Sequence, residues 1–134
     1  MKYMLDTNTC IRLIKHDPET LASFSEKKDE GVAISTIVLA ELEFGVCNSA
    51  AYEKNRAKLI SLLSLVDLLS FDGAAAIAYG SICTDLRKKR NPIGHMDMLI
   101  AAHAKSKNLV VVSNNLREFE RVENLTVEDW SAIS

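Results

Sequence analysis

Short apolar runs alternate with longer stretches of mixed apolar and polar residues along this chain. The runs predict four brief strands, at residues 2–5, 32–34, 66–69 and 109–112. Apolar positions at helical spacing predict the helices between them, at residues 10–15, 19–28, 36–46, 51–65, 73–89 and 95–107. Strands that alternate with helices are typical of an α/β fold, and the wholly apolar run at 109–112 is typical of a strand covered on both faces. The pattern therefore predicts a three-layer α/β/α sandwich around a central parallel sheet.

The chain has the size and composition of one globular domain. Its 134 residues show no internal repeat and no linker, and 48% of them are apolar, so we expect a single domain over residues 1–134. No apolar run reaches the roughly 18 residues that a membrane span needs. Asp6 follows the first apolar residues before the apolar region of a signal peptide has developed. We therefore expect a cytoplasmic protein that has no membrane partner.

Charge and cysteine content narrow the chemistry. The formal net charge of −2 does not favour a dedicated nucleic-acid binder, but residues 87–90 form one dense basic run. The run consists of Arg87, Lys88, Lys89 and Arg90, and it either binds RNA phosphates or interacts with the end of its own helix. Three scattered cysteines without a CxxC pair argue against a disulfide framework and against a zinc site.

Three acids lie where a ligand site is expected. In parallel sheets, ligands bind beyond the carboxyl ends of the strands, and Asp6 follows the first strand directly. Glu41 and Asp97 have mostly apolar or small helical neighbours, so both are expected on or beside faces that pack inward. These neighbours are Ile37, Val38, Phe44 and Gly45 for Glu41, and Ile100, Ala101 and Ala104 for Asp97. Each acid also has a structural interpretation: Asp6 as a turn residue, Glu41 in an internal salt bridge, and Asp97 as an acid near a helix N-terminus.

A fourth acid follows the last strand. Asn115 and Glu118 lie in a segment predicted as a loop, from which both side chains can reach the same cleft, although Glu118 has Arg117 and Arg121 as alternative partners. Clustered carboxylates repel one another unless a divalent cation lies between them, and oxygen ligands of this kind suit Mg²⁺ or Mn²⁺. Such a cation can polarise a phosphate diester and lower the pKa of a bound water. No Gly-rich phosphate loop or nucleophile elbow is present.

Several motifs in order resemble a known family. Met4-Leu5-Asp6-Thr7-Asn8, Ala40-Glu41-Leu42, and Pro92-Ile93-Gly94 followed by Asp97 resemble the PIN domain, and in particular the VapC-type toxins of bacterial toxin–antitoxin pairs. The segments at 113–121 and 128–130 are similar to the C-terminal part of the same group, so the resemblance covers nearly the whole chain.

The resemblance implies a function and a site. It implies Mg²⁺- or Mn²⁺-dependent endonucleolytic cleavage of RNA, commonly tRNA, and in the relatives with this C-terminal pattern of initiator tRNA near its anticodon. It assigns Asp6, Glu41 and Asp97 to the metal-binding acids and the fourth acidic position to Glu118, with Asn115 at a place where some members carry Asp. It also implies a homodimer and a small cognate VapB-type antitoxin.

The resemblance thus implies a toxin that inhibits translation by hydrolysing RNA. Thr7, Asn8 and Ser113 are expected to position the carboxylates, and the basic run to hold flanking phosphates. One alternative is a phosphotransferase of the haloacid dehalogenase type, because residues 6–9 approach its DxDxT signature, although Asn8 replaces the second acid. A receiver domain and a non-catalytic RNA-binding module are further alternatives. A receiver domain requires a Lys after a late strand, and this chain has none at residues 112–114. An RNA-binding module would not require Glu41 and Asp97 on packing faces.

Overall fold

A computed structural model describes residues 1–131 of the chain. Five short strands form one parallel sheet: β1 (Tyr3–Leu5), β2 (Val32–Ser35), β3 (Asp67–Leu69), β4 (Val110–Val112) and β5 (Val127–Glu128). Their order across the sheet is β3-β2-β1-β4-β5. The described α-helices are α1 (Thr7–Ile14), α2 (Pro18–Lys27), α3 (Thr36–Cys47), α4 (Tyr52–Leu63), α5 (Gly73–Lys88), α6 (His95–Ser106) and α7 (Leu116–Phe119), and a short 3₁₀ helix follows α2 at Lys28–Glu30.

The central strand is covered on both faces. Tyr3, Met4 and Leu5 of β1 are all buried, and successive side chains of a strand point to opposite faces of the sheet. Helices therefore cover both faces, which confirms the predicted α/β class with a central parallel sheet. No helix within residues 1–131 is both long enough and apolar enough to span a bilayer.

The predicted helices and strands are found close to their expected positions, with three differences. Helix α1 begins at Thr7 rather than at residue 10, because the side chain of Asp6 caps it by accepting a hydrogen bond from the backbone N–H of Thr9 at 2.9 Å. The segment after β4, predicted as a loop, contains the one-turn helix α7. Strand β5 was not predicted, since two residues are too few to show a periodicity. The predicted domain over residues 1–134 includes residues 132–134, which lie outside the described residues.

The strand order defines one crevice. From β1 the chain proceeds outward through β2 to β3, and it then returns to β4 on the other side of β1 and proceeds outward to β5. The direction therefore reverses between β1 and β4, and crevices outside the carboxyl ends of such strands are where open α/β sheets bind ligands. Two hydrogen bonds connect the ends of β1 and β4 here: the backbone N–H of Asp6 and the hydroxyl of Thr9 each donate to the carbonyl of Val112 at 3.0 Å.

Candidate active site

Asp6 is fixed at the end of β1. Its side chain is only 4% exposed, and Oδ1 accepts the capping hydrogen bond from Thr9. The capping contact is the structural role that the sequence allowed for this residue. It engages one oxygen, and no donor to Oδ2 is found within residues 1–131, so the second oxygen is free to bind a ligand.

Glu41 reaches the site from α3. It is half-buried, and its Oε1 accepts a hydrogen bond from the hydroxyl of Thr7 at 2.6 Å, which ties α3 to the first turn of α1. Thr7 thus contacts one of the predicted site carboxylates, and its role in positioning that carboxylate stays a prediction. The packing argument for Glu41 was only partly correct, because Phe44, counted as an inward neighbour, is 70% exposed. The buried stripe of α3 consists of Val38, Leu42 and Val46, and Glu41 lies at its edge.

Asp97 lies in the first turn of α6, as predicted. The neighbours expected to pack inward, Ile100, Ala101 and Ala104, are all buried, while Asp97 itself is half-buried. Its Oδ2 accepts a hydrogen bond from the side-chain amide of Asn115 at 3.3 Å. Asp97 thereby contacts the segment that follows β4.

Asn115 joins two acids. Its side-chain amide also donates to Oε2 of Glu118, and the other oxygen of Glu118 accepts a hydrogen bond from the backbone N–H of Gly94 at 3.1 Å. Ser113 is buried, and its hydroxyl accepts a hydrogen bond from the backbone N–H of Asn115 at 2.9 Å. This contact fixes the backbone from which the side-chain amide of Asn115 extends. Glu118 therefore faces the site. Arg121, one of its alternative partners, donates instead to the carbonyl of Pro92 at 2.7 Å.

The pKa values of the two linked acids move in opposite directions. Burial raises the pKa of Asp97 to about 7, and its hydrogen bond with Glu118 and the negative charges of Glu118 and Asp6 act in the same direction. The backbone N–H of Gly94, followed by the Asn115 amide, lowers the pKa of Glu118. The charge of Asp6 acts on Asp97, which places these two acids in one electrostatic environment.

The acids do not form a compact cluster. Among residues 1–131, no group of three or more His, Cys, Asp and Glu side chains is close enough together to qualify as a metal-binding group. What the structure does bring together is Thr7 with Glu41, and Asp97 with Asn115 and Glu118. The assignment of metal ligands stays a prediction.

Asn8 and the basic run at residues 87–90 are not found in the arrangement that the sequence predicted. Asn8 is exposed in the first turn of α1, and no contact with a site acid is found for it within the described residues. The four basic residues at 87–90 are exposed at the end of α5, but they do not form one free surface. Lys89 lies 3.0 Å from Asp85 and 2.7 Å from Glu123, so its charge is already paired.

Sequence reasoning missed one buried contact beside the site. Nδ1 of His103 on α6 lies 2.8 Å from the hydroxyl of Ser35, which also caps α3 by accepting the backbone N–H of Ile37 at 3.1 Å. Both Ser35 and His103 are fully buried. The contact connects the helix that carries Glu41 with the helix that carries Asp97. A serine before a helix predicts a cap, but nothing in the sequence pairs it with a histidine 68 positions away.

The model of the PIN domain family matches residues 3–125. The chain belongs to the PIN domain family.

Within the PIN domain family, the chain is similar to the VapC ribonucleases. The chain is 45% identical over 130 residues to the tRNA(fMet)-specific endonuclease VapC of Salmonella typhimurium, covering 97% of this chain and 98% of that protein. It is 42% identical over 132 residues to ribonuclease VapC2 of Rickettsia felis, with coverage of 97% and 98%. The crystal structure of VapBC2 from Rickettsia felis bound to a DNA fragment from its promoter contains a chain that superposes with a TM-score of 0.92 at 40% identity, covering 97% of this chain and 99% of that one. Within the PIN domain family, the chain is thus one of the VapC ribonucleases, and the phosphotransferase and receiver-domain alternatives are set aside.

Proposed function

We propose that this ribonuclease is the toxin of a toxin–antitoxin pair and that it cleaves tRNA in a reaction that depends on Mg²⁺ or Mn²⁺. The observation that carries the proposal is that Asp6, at the crevice between β1 and β4, lies within electrostatic range of Asp97, which Asn115 joins to Glu118. Asp6 follows β1, Asp97 begins α6, and Glu118 is joined to Asp97 through Asn115. A crevice that accumulates negative charge in this way is suited to a cation and, through the cation, to a phosphate diester.

The donor set fits a hard divalent cation. All the candidate ligands are carboxylate oxygens, which Mg²⁺ and Mn²⁺ prefer to the nitrogen and sulfur ligands that zinc takes. Burial is the main cause of the raised pKa of Asp97, and the negative charges of Glu118 and Asp6 add to it; a bound cation would offset this added repulsion. Asp6, Glu41 and Asp97 would hold the cation, with Glu118 completing the set. When bound, the cation would supply Lewis-acid polarisation of the scissile phosphate and a more acidic water.

The other residues of the site position these ligands. Thr7 holds the carboxylate of Glu41 by its hydroxyl, and the amide of Asn115 fixes Asp97 and Glu118 relative to each other. Ser113 in turn fixes the backbone of Asn115. Partners of this kind, which orient metal ligands without touching the metal, commonly contribute one to two orders of magnitude to affinity or activity.

The substrate and partners are proposed from the relatives. A relative that is 45% identical over nearly its whole length is named as specific for tRNA(fMet), so we propose initiator tRNA as the first substrate to test. The superposing structure is that of VapBC2, so we propose a VapB-type antitoxin as the partner. We also propose a homodimeric assembly and a cytoplasmic location, where tRNA is found.

Cleavage of tRNA by purified, antitoxin-free protein tests the proposal. Asp6→Asn, Glu41→Gln and Asp97→Asn should each reduce cleavage by at least two orders of magnitude, because each removes a charge from the proposed metal site. Glu43→Gln is the matched control: Glu43 is on the same helix as Glu41, but it pairs with Arg56 at 2.6 Å. Wild-type activity that survives EDTA, or equal losses in Glu41→Gln and Glu43→Gln, would contradict the proposal.

A further inference from the structure

We propose that the groove between the end of α5 and the start of α6 binds one unpaired nucleotide of the RNA substrate, with Arg87 and Arg90 contacting its phosphates and the apolar floor contacting its base. The inference rests on the ribonuclease function proposed above, and it specifies how the substrate is held beside the acids. It also divides the basic run at 87–90, which the sequence treats as a unit, into residues that face the substrate and residues that do not.

The groove has an apolar floor and a basic rim. Its volume is about 380 Å³, and it is lined by Cys83, Leu86, Arg87, Arg90, Pro92 and Met98. Leu86 and Met98 are buried, and Sγ of Cys83 lies 3.5 Å from Sδ of Met98, so polarisable sulfur atoms form part of the floor. Sulfur makes favourable contacts with aromatic rings, and a nucleobase presents such a ring.

The local backbone places the two arginines on the same groove. Arg87 is in the last turn of α5, and the backbone carbonyl of Arg87 accepts a hydrogen bond from the backbone N–H of Arg90 at 3.1 Å. Arg90 has a φ of 53°, a left-handed conformation that reverses the chain direction after the helix. Neither arginine forms an ion pair within residues 1–131. Two guanidinium groups at the rim are therefore available to bind phosphate oxygens, for which their planar, multiple N–H donors are well suited.

The two lysines of the run are placed differently. Lys89 is paired with Asp85 and Glu123. Lys88 lines a separate hollow on the far side of α5, together with Gly80, Ser81, Thr84 and Asp85. The structure thus separates four adjacent cations into a pair on the groove, a neutralised lysine and a lysine that points elsewhere.

The residues that line the groove are close to the acids along the chain. Met98 follows Asp97 directly along α6, and Pro92 is in the same short loop as Gly94, whose N–H holds Glu118. The groove wall and the support of Glu118 are therefore parts of one loop. A nucleotide in the groove would be continuous with a phosphate at the acid site. Its base must be unpaired, because an apolar floor of this kind contacts the face of a base, which a duplex keeps stacked.

Binding measurements with matched variants test this inference. The probes are a short fluorescent single-stranded oligoribonucleotide and the same oligonucleotide in a duplex, each titrated in EDTA and followed by anisotropy. Arg87→Ala and Arg90→Ala should each weaken binding of the single strand by about tenfold, the loss expected for one charge-assisted hydrogen bond. Each should also reduce the slope of log affinity against log salt by about 0.7. Duplex binding should change much less in both variants.

Two further lysine variants separate the groove from general charge effects. Lys28→Ala removes an exposed charge from the turn before β2, away from the carboxyl ends of the strands, and it should leave binding of the single strand unchanged. Lys88→Ala should weaken binding less than either arginine variant. Equal losses in Lys88→Ala and Arg87→Ala, or equal losses for single strand and duplex, would overturn the inference.

The tRNA cleavage assay run in parallel shows which proposal fails. If the wild-type protein cleaves tRNA while Arg87→Ala and Arg90→Ala bind the single strand as tightly as wild type, the groove inference is wrong and the ribonuclease proposal stands. If the wild-type protein neither binds nor cleaves RNA, both are wrong.

Discussion

Replacing Ser35 by alanine should destabilise the fold through two lost contacts at once. The hydroxyl of Ser35 caps α3 by accepting the N–H of Ile37 at 3.1 Å, and it lies 2.8 Å from Nδ1 of His103. Both Ser35 and His103 are fully buried, so water cannot replace the missing partner. Nε2 of His103 has no hydrogen-bond partner within the described residues, and the substitution would therefore leave both ring nitrogens unpaired.

The expected cost follows from these contacts. Loss of a serine cap typically costs about 1 kcal/mol. An unpaired buried polar group costs about 1–3 kcal/mol more. The free energy of unfolding should thus fall by about 2–4 kcal/mol, and because the chain has 134 residues, the melting temperature should fall by roughly 5–15 °C. The side chain loses only one oxygen, so a cavity contributes little.

A double-mutant cycle in urea separates the two contributions. In a His103→Leu background, Ser35→Ala should cost only the cap, about 1 kcal/mol, so the cycle should report a coupling of about 1–3 kcal/mol between residues 35 and 103. The exposed Ser25 of α2 provides the control, since Ser25→Ala should change stability by less than about 0.5 kcal/mol. The reasoning is refuted if Ser35→Ala costs the same in both backgrounds, because the contact with His103 would then contribute nothing.

Three further predictions concern the site and its surroundings. Thr7→Val removes the 2.6 Å hydrogen bond to Glu41 with little change of shape, so the rate of tRNA cleavage should fall about tenfold or more. Thr7→Ser retains the hydroxyl and should restore the rate. Equal rates in the wild type and both variants would show that the contact does not contribute to cleavage. In a thermal melt, Mn²⁺ at about 100 times its Kd should stabilise the wild type by about 2.7 kcal/mol, whereas Asp97→Asn should show little stabilisation, and equal stabilisation of both would place the cation elsewhere. Burial lowers the pKa of His103, so as pH falls through the ordinary histidine value near 6.5 the unfolded chain takes up a proton before the folded one does and stability decreases. Denaturant melts should therefore show a steeper loss below neutral pH in the wild type than in His103→Leu, and parallel losses would contradict the assignment.

The sequence predicted the helices and strands better than it predicted the contacts between distant residues. The apolar run at 109–112 and the acid after the first strand were sufficient to predict a parallel sheet with a site at its carboxyl ends, because both signals are local. Asp97 was predicted for a sound reason, since its helical neighbours Ile100, Ala101 and Ala104 do pack inward. Glu41 was predicted because its helical neighbours were expected to pack inward, and the exposure of Phe44 partly contradicts that expectation.

The features that could not be predicted depend on distant pairs. Asn115 and Asp97 are separated by 18 positions, and Ser35 and His103 by 68. A single sequence shows which side chains are polar, but it does not show which of them the fold brings together. The division of the basic run has the same origin, since the partner of Lys89 that lies outside its own helix, Glu123, is 34 positions away.

The ends of the RNA fragments test the central claim most directly. Purified, antitoxin-free protein would be incubated with tRNA and increasing Mg²⁺, and the termini at each cleavage position would be identified. Attack by water on the scissile phosphate, with the leaving oxygen stabilised by the cation that Asp6, Glu41 and Asp97 would hold, predicts 5′-phosphate and 3′-hydroxyl ends whose yield rises with Mg²⁺ and disappears with EDTA. Fragments that carry a 2′,3′-cyclic phosphate, formed at a rate independent of Mg²⁺, would contradict the account, because the 2′-hydroxyl would then be the nucleophile and the acids would have another role.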